Sequence, residues 1–409
     1  MNNPPQKQLY WFALMLVIYE FTTYAANDMI MPGMPQVISH FAAPVTFVAA
    51  SLTVYMLGSC MLQLVLGPIA EKYGRKRTIL WGNSLFLIFT LSLALSLSIK
   101  MFMISRYLQG SCMAFTPLGY ALIHKNFNDK QALKLTSLMA NITILAPLIG
   151  PMLGGIVINY FGWRYVFVLS IITASVALWG LNKFTPEETI AKESQVINLK
   201  NMLCTYLQII KLPGFLLGTI SSAMIVLPAL IWVATAPTLI LLNAHLGIKK
   251  YILYQLLAQS GLMLSSIAMQ FIAGRINLSR LMIYGLVIAI FGIGIGVIFQ
   301  GQLTLIVVGL GIYTFGFGLL MGTIMRIVGT LPTQHQSMLF SLMAFLQTLI
   351  MAIALEIVNR ILEYYSYSLA SFTIINLLIT VVASCLIVRF AYLNRQRLSD
   401  TPITIQELG

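Results

Sequence analysis

Apolar residues fill this chain in runs of about 20, the length that carries an α-helix across a lipid bilayer. Twelve such runs stand near residues 9–31, 46–66, 78–98, 101–123, 136–158, 163–182, 214–236, 251–273, 279–299, 303–325, 337–359 and 368–392. Barrel strands are about 10 residues long with strict in–out alternation, and no stretch here alternates that way. The pattern therefore predicts an all-α membrane protein with twelve transmembrane helices. The longest polar stretch, 183–213, divides six runs from six. It carries Pro186, Glu187, Glu188, Lys192, Glu193, Lys200 and Lys211, with a short surface helix expected over 198–210. The expected organisation is a six-helix bundle over 1–182, a cytoplasmic linker over 183–213, a second six-helix bundle over 214–392 and a short polar tail over 393–409. Two such halves suggest the internal pseudo-symmetry of secondary transporters, although "GRINLSR" (274–280) is at best a worn copy of the loop at 67–77.

Composition supports this reading. The 409 residues are 59% hydrophobic and 9% charged, with a mean hydropathy of +0.88. Soluble domains carry about a quarter charged residues. The net charge of +13 would suit nucleic acid, but its placement argues otherwise. Lys72, Arg75, Lys76, Arg77, Lys125, Lys130, Lys134, Arg275, Arg280, Arg395 and Arg397 fall in alternate loops, and residues 32–45 and 299–303 carry no charge. Lys100, Lys249, Lys250 and Arg360 are the exceptions. This positive-inside bias places both termini in the cytoplasm, and no soluble region is large enough for a basic groove. The first run is too long and too acidic for a cleaved signal peptide. Cys60, Cys112, Cys204 and Cys385 form no CxxC pair, so neither a disulfide framework nor a zinc site is expected.

Charges inside a membrane are costly and mark function by default. Five fall deep in the runs: Glu20, Asp28, Arg106, Arg326 and Glu356. Glu20, Tyr24 and Asp28 are spaced i, i+4, i+8, so they share one stripe of a helix, roughly 12 Å from end to end. Asn27 lies beside it. Two carboxylates, a ring and an amide suit binding of a proton and of a polar or cationic solute. For Asp28 alone, capping a helix end near Met31–Pro32–Gly33 is a serious alternative. Arg106, in "MISRYLQGSCMAF", stays protonated almost anywhere and needs an acid or several oxygens around it. Glu20 and Asp28 are the obvious acids. A switching pair would couple to protons, and a static structural pair would not. Glu356 with Arg360 at i+4 reads as a local pair, and Arg326 as a side chain that snorkels from its helix end.

"SLMANITILAPLIGPMLGGIVI" (137–158) sets Ala146, Gly150 and Gly154 in one i+4 series and Pro147, Pro151 and Gly155 in the next. Small residues at that spacing let two helices approach closely, and two prolines remove backbone donors. In "LGPIAEKYGRKRTIL" (66–80), Gly67 and Gly74 permit a tight turn, and Glu71 beside Arg75 either pins two helix ends in one state or sits in a plain positive-inside anchor. "GIGIG" (292–296) and "GFGLLMG" (316–322) lie inside apolar runs, so they read as helix packing rather than nucleotide loops. No Walker sequence and no HExxH is present. His40, His124, His245 and His335 fall in or near loops, so no metal and no cofactor are expected.

These motifs carry a resemblance. "GPIAEKYGRKR", "RYLQG", "APLIGPMLGG" and "GWRYVF" resemble, in order and in the matching helices, signatures of the major facilitator superfamily and its twelve-span drug/proton antiporter branch. "YEFTTYAANDMIMPGMP" (19–35) and "SLMANITILAPLIGP" (137–151) are similar to the MdfA-type multidrug/proton antiporters. The resemblance spans the chain and is clearer in its first half. It implies that Glu20 and Asp28 bind proton and substrate, that Arg106 tunes them, and that Tyr24, Asn27, Asn141, Ala146 and Pro147 line the cavity. It further implies that Gly67, Glu71, Gly74 and Arg75 form a gate latch, and that Gly150, Pro151, Gly154 and Gly155 form a helix-packing motif. Glu71 and Lys72 stand where the superfamily usually has Asp and Arg.

The expectation is then a transporter rather than an enzyme: a proton-coupled multidrug exporter of a bacterial inner membrane. Its partners would be a small-molecule substrate, protons and the lipid bilayer, with no nucleic acid, and a monomer is expected. A narrow-substrate exporter of a metabolite or metal-chelating natural product would share every motif. The 22 Met, 22 Phe and 18 Tyr suit an adaptable cavity, although most must face lipid or core.

Overall fold

The computed structural model describes residues 6–186, 199–272, 275–333 and 335–395, and among them every regular element is helical. The middle of the expected linker (187–198), Gly274 at the start of "GRINLSR" and the tail from 396 onward lie outside the described residues. The chain forms two compact units, Met1–Leu199 and Lys200–Gly409.

In the first unit, α1 (Gln6–Met29) leads through a 3-10 turn at Met31–Gly33 into α2 (Met34–His40), and α3 (Phe47–Cys60) and α4 (Leu66–Tyr73) follow. Then come α5 (Arg75–Ala94), α6 (Ile99–Ser111), a 3-10 turn at Cys112–Phe115, α7 (Pro117–Asn126), α8 (Asp129–Phe161) and α9 (Arg164–Phe184). α1 packs on α8 and α9, α3 on α6, and α5 on α6 and α9. Phe12, Met15, Leu16 and Tyr19 of α1 form one core cluster with Ile79, Leu122, Met139, Ala177 and Leu181.

The breaks have a common cause. Proline lacks an N–H, and its ring clashes with the carbonyl four residues back. Pro68 would meet Leu64 in a continuous helix, and the chain makes a turn over 61–65 instead. Pro117 would meet Met113, and the 3-10 turn lies there; Pro32 would meet Asp28, and α1 ends at Met29. The predicted span 101–123 is accordingly two helices, α6 and α7, and the span 46–66 is α3 followed by a turn, with α4 beginning at its last residue. Nine helical stretches among the described residues are individually long and apolar enough to cross a membrane. The remaining predicted spans are these two and the fifth, which lies within the 33-residue α8. α8 nonetheless runs helical through both Pro147 and Pro151, as membrane helices tolerate.

The second unit contains α10 (Leu199–Ile210), which matches the expected short helix, then α11 (Phe215–Ala236) with a π-helical turn at Pro237–Asn243, α12 (Ile248–Ile272), α13 (Leu278–Ile298), α14 (Leu303–Gly329), α15 (Gln336–Tyr364) and α16 (Leu369–Leu393). α14 packs on α12 and α13, and α11 on α15 and α16. Gly292 and Gly316 serve packing, as expected: a methyl group on Gly292 would stand 2.5 Å from the Tyr313 nitrogen, and one on Gly316 2.6 Å from the Ala289 nitrogen, whereas one on Gly294 would meet nothing within 4 Å. Arg360 Nε donates to Glu356 Oε1 at 3.0 Å, the local pair read from the spacing. Arg326 lies half-buried in the last turn of α14.

Candidate functional site

Glu20, Tyr24, Asn27 and Asp28 all sit on α1. Glu20 is 1% exposed and Asp28 7%, so neither faces lipid, while Tyr24 and Asn27 are half-buried. Arg106 on α6 is fully buried. Its guanidinium donates Nη2 to Asn27 Oδ1 at 2.7 Å, Nη1 to Gln109 Oε1 at 2.9 Å and Nε to Ser51 Oγ at 3.3 Å. The Tyr55 ring lies under it, 4.5 Å from its central carbon, at cation–π range.

Among the described residues Arg106 forms no ion pair. Its link to an acid is indirect: Asn27 Nδ2 donates to Asp28 Oδ1 at 3.1 Å while its oxygen receives the guanidinium. Of the two candidate acids, Asp28 is therefore tied to Arg106 through one amide. Glu20 takes a different partner, the Tyr120 hydroxyl, which donates to Oε1 at 2.9 Å. Gln109 passes the network on, Nε2 donating to Thr90 Oγ1 at 2.9 Å, and Thr90 donates to the Phe86 carbonyl at 2.6 Å. Tyr55 donates its hydroxyl to the Thr23 carbonyl at 3.0 Å. The guanidinium thus ties α1, α3 and α6 directly and α5 through Gln109.

Two close helix contacts hold this geometry. A methyl group on Gly58 would stand 2.9 Å from the Tyr107 carbonyl carbon, and one on Gly110 2.9 Å from that of Tyr55. The α3–α6 crossing is therefore tight enough to bring the Tyr55 ring to Arg106. On the other side, a methyl group on Gly150 would lie 3.0 Å from the Asp28 Cβ, and one on Gly154 2.6 Å from the Met29 carbonyl carbon. These two residues of the packing motif hold α8 against the end of α1 that carries Asp28. Ala146, Pro151, Gly154 and Gly155 are buried and Pro147 half-buried on the same helix; the Asn141 side chain lies outside the described residues.

The residues of the loop motif take no part in this network. Gly67 and Glu71 belong to α4, and Gly74 makes the turn into α5 with φ +88°, where a residue without Cβ is favoured. Glu71 is exposed. Arg75 Nη1 donates to the Ala121 carbonyl at 3.4 Å, and Lys76 Nζ to the Thr185 carbonyl at 2.8 Å, so the basic residues tie α5 to α7 and to the end of α9.

Sequence reasoning did not single out Ser51, Tyr55, Thr90, Gln109 or Tyr120. Gln109 had a signal, since it stands at i+3 from Arg106 inside the quoted "RYLQG". The others are ordinary polar residues of apolar helices.

The family model for the Major Facilitator Superfamily matches residues 16–355. The chain belongs to the major facilitator superfamily. Within it, the chain is similar to "Multidrug transporter MdfA" of Escherichia coli O6:H1, 32% identical over 360 residues that cover 86% of this chain and 87% of the relative. The protein of that name in Yersinia pestis bv. Antiqua (strain Angola) is 32% identical over 321 residues, 77% of this chain and 78% of the relative. The solved D-xylose–proton symporter matches with a TM-score of 0.73 at 13% identity, over 92% of this chain and 97% of its own. A bacterial homologue of the lysosomal transporter Spinster matches at 0.71 and 13%, over 95% and 97%. The fold is the all-helical superfamily fold, and the protein is a multi-pass membrane protein.

Proposed function

We propose that this protein is a proton-coupled multidrug exporter of a bacterial inner membrane. It moves lipophilic cationic and neutral compounds by alternating access, acts as a monomer and keeps both termini in the cytoplasm. In this reading 1–182 and 214–392 are its six-helix halves, joined by 183–213 and followed by the tail 393–409. The observation that carries the proposal is the burial of both α1 acids, Glu20 and Asp28, with Asn27 joining Asp28 to the guanidinium of the buried Arg106.

A buried carboxylate is stable when paired or protonated. Substrate from the cytoplasm and protons from outside compete for the α1 acids. A protonated Asp28 no longer attracts the guanidinium through Asn27, and deprotonation restores that attraction. A cationic or polar substrate favours the ionised acid, so its binding releases protons, and protonation releases the substrate. Such exchange requires that each ligand change the affinity for the other, and the coupling is reciprocal. Tyr24, Asn27, Asn141, Ala146 and Pro147 line the substrate path. Gly67, Glu71, Gly74 and Arg75 latch one conformational state, and Gly150, Pro151, Gly154 and Gly155 give α8 a smooth surface against α1.

Everted membrane vesicles test this. Under an imposed proton gradient, wild-type vesicles are expected to accumulate several compounds from a panel of cationic, neutral and anionic drugs, and vesicles carrying both Glu20→Gln and Asp28→Asn none of them. Uptake of one compound alone would favour a narrow-substrate exporter. Undiminished uptake in the double variant would remove the assigned site.

A further inference from the structure

Among the described residues, every buried charged side chain lies in the first unit: Glu20, Asp28 and Arg106. The buried polar side chains of the second unit are neutral, and one of them stands apart. Gln255 on α12 is 1% exposed, and neither its amide nitrogen nor its amide oxygen has a hydrogen-bond partner among the described residues. Asn376, by contrast, lacks a partner only at its oxygen and donates Nδ2 to the Phe372 carbonyl at 2.8 Å.

A carboxamide sealed from water with both ends unpaired lowers stability, and an apolar side chain of similar size would avoid the penalty. The hydrogen bonds of α12 to α14 come from Tyr254, whose hydroxyl is 2.9 Å from Thr304 Oγ1, and from the Ala258 carbonyl, which accepts from Thr314 Oγ1 at 2.8 Å. Gln255 belongs instead to a second row, Tyr251, Gln255 and Gln259, spaced i, i+4, i+8 like the acidic row on α1. The row runs from fully buried Tyr251 to Gln259 at 7% exposure.

We propose that Gln255 is a substrate-recognition residue, whose carboxamide donates to and accepts from uncharged polar groups (amide, hydroxyl or nitro) of the transported molecule. The proposal rests on the exporter reading and names the substrate chemistry that the second unit reads. A carboxamide does not titrate, so this contact persists whichever protonation state the α1 acids hold. A site with unpaired donors and acceptors discriminates strongly between ligands that fill them and ligands that do not.

The test uses the full-length protein with two probes. Chloramphenicol is neutral and carries an amide and hydroxyls, and tetraphenylphosphonium is a permanent cation with no hydrogen-bonding group. Gln255→Leu is expected to cut chloramphenicol transport about fivefold or more, the scale of one lost neutral hydrogen bond. Tetraphenylphosphonium transport is expected to stay within about twofold, and the Tm of the unliganded protein to hold or rise. Unchanged chloramphenicol transport overturns the proposal. So does parallel loss of both probes, or a fall in Tm, since either marks a structural partner for the amide. Gln255→Met carries the same readouts if the leucine variant does not accumulate, and failure of both to fold also overturns the proposal. If the wild type moves neither probe, the exporter reading fails separately. The Tm rise on adding chloramphenicol then decides: a rise in wild type that is lost in Gln255→Leu supports the proposal, and an equal rise, or none in either, overturns it.

Discussion

Among the described residues, Arg106 keeps a permanent charge inside a helical bundle without an ion pair. Three oxygens and one ring share the guanidinium, and of the three only Asn27 leads on to a carboxylate. Asn27 is thus an adaptor, accepting from a cation and donating to an acid. Replacing it by leucine would leave a buried charged donor and the Asp28 oxygen without their partner. Loss of a hydrogen bond to a charged group costs about 1.5–3 kcal/mol, so Asn27→Leu is expected to lower the Tm and abolish proton-driven uptake. Asn27→Asp would instead place an acid beside Arg106 while removing the donor to Asp28, and is expected to lower the Tm less than Asn27→Leu yet slow exchange by pinning the guanidinium. Thermal unfolding and vesicle uptake, measured on both variants, check this. Equal Tm and uptake in wild type and Asn27→Leu would mean that the adaptor is unimportant.

At the scale of elements, the close approach of α1 and α8 is sharply specified. Cores filled beyond their packing lose about 1–3 kcal/mol. Gly154→Ala, whose new methyl would collide with the Met29 backbone, is expected to lower stability by that order. Gly67→Ala meets nothing within 4 Å, so its Tm should fall by less than that of Gly154→Ala. Unfolding curves that rank the two variants the other way would contradict the packing described here.

This scale also shows what could be read from the chain. Run length alone located the long helices, and the i, i+4, i+8 spacing of Glu20, Tyr24 and Asp28 placed the acids on one row. Local proline geometry would have located the breaks before Pro68 and Pro117, but average hydropathy passes over a single missing N–H. The partners of Arg106 were harder. Ser51 stands 55 positions and Asn27 79 positions away; Asn27 is marked by the acidic stripe beside it, but nothing in the sequence pairs either residue with Arg106. Pairing between helices belongs to the packed bundle, as does the division of Asp28 and Glu20 between Asn27 and Tyr120.

For the whole molecule, orientation and coupling are the open physical quantities. Cys204 is exposed on α10 and Cys385 on α16, within the last predicted span where lipid would cover it, while Cys60 and Cys112 are buried. With the linker in the cytoplasm, a membrane-impermeant maleimide is expected to label Cys204 in everted vesicles and not in intact cells, with Cys204→Ser removing the signal. Labelling only from the outside would invert the topology.

The central claim is that buried α1 carboxyls give up protons when substrate binds. Proton release from the purified protein in weakly buffered solution, on addition of tetraphenylphosphonium, measures this directly. The account predicts a pH drop with wild type, a reduced one with Glu20→Gln or Asp28→Asn, and none with both substitutions together. An undiminished drop in the double variant, or saturable binding by wild type with no protons released, would contradict it.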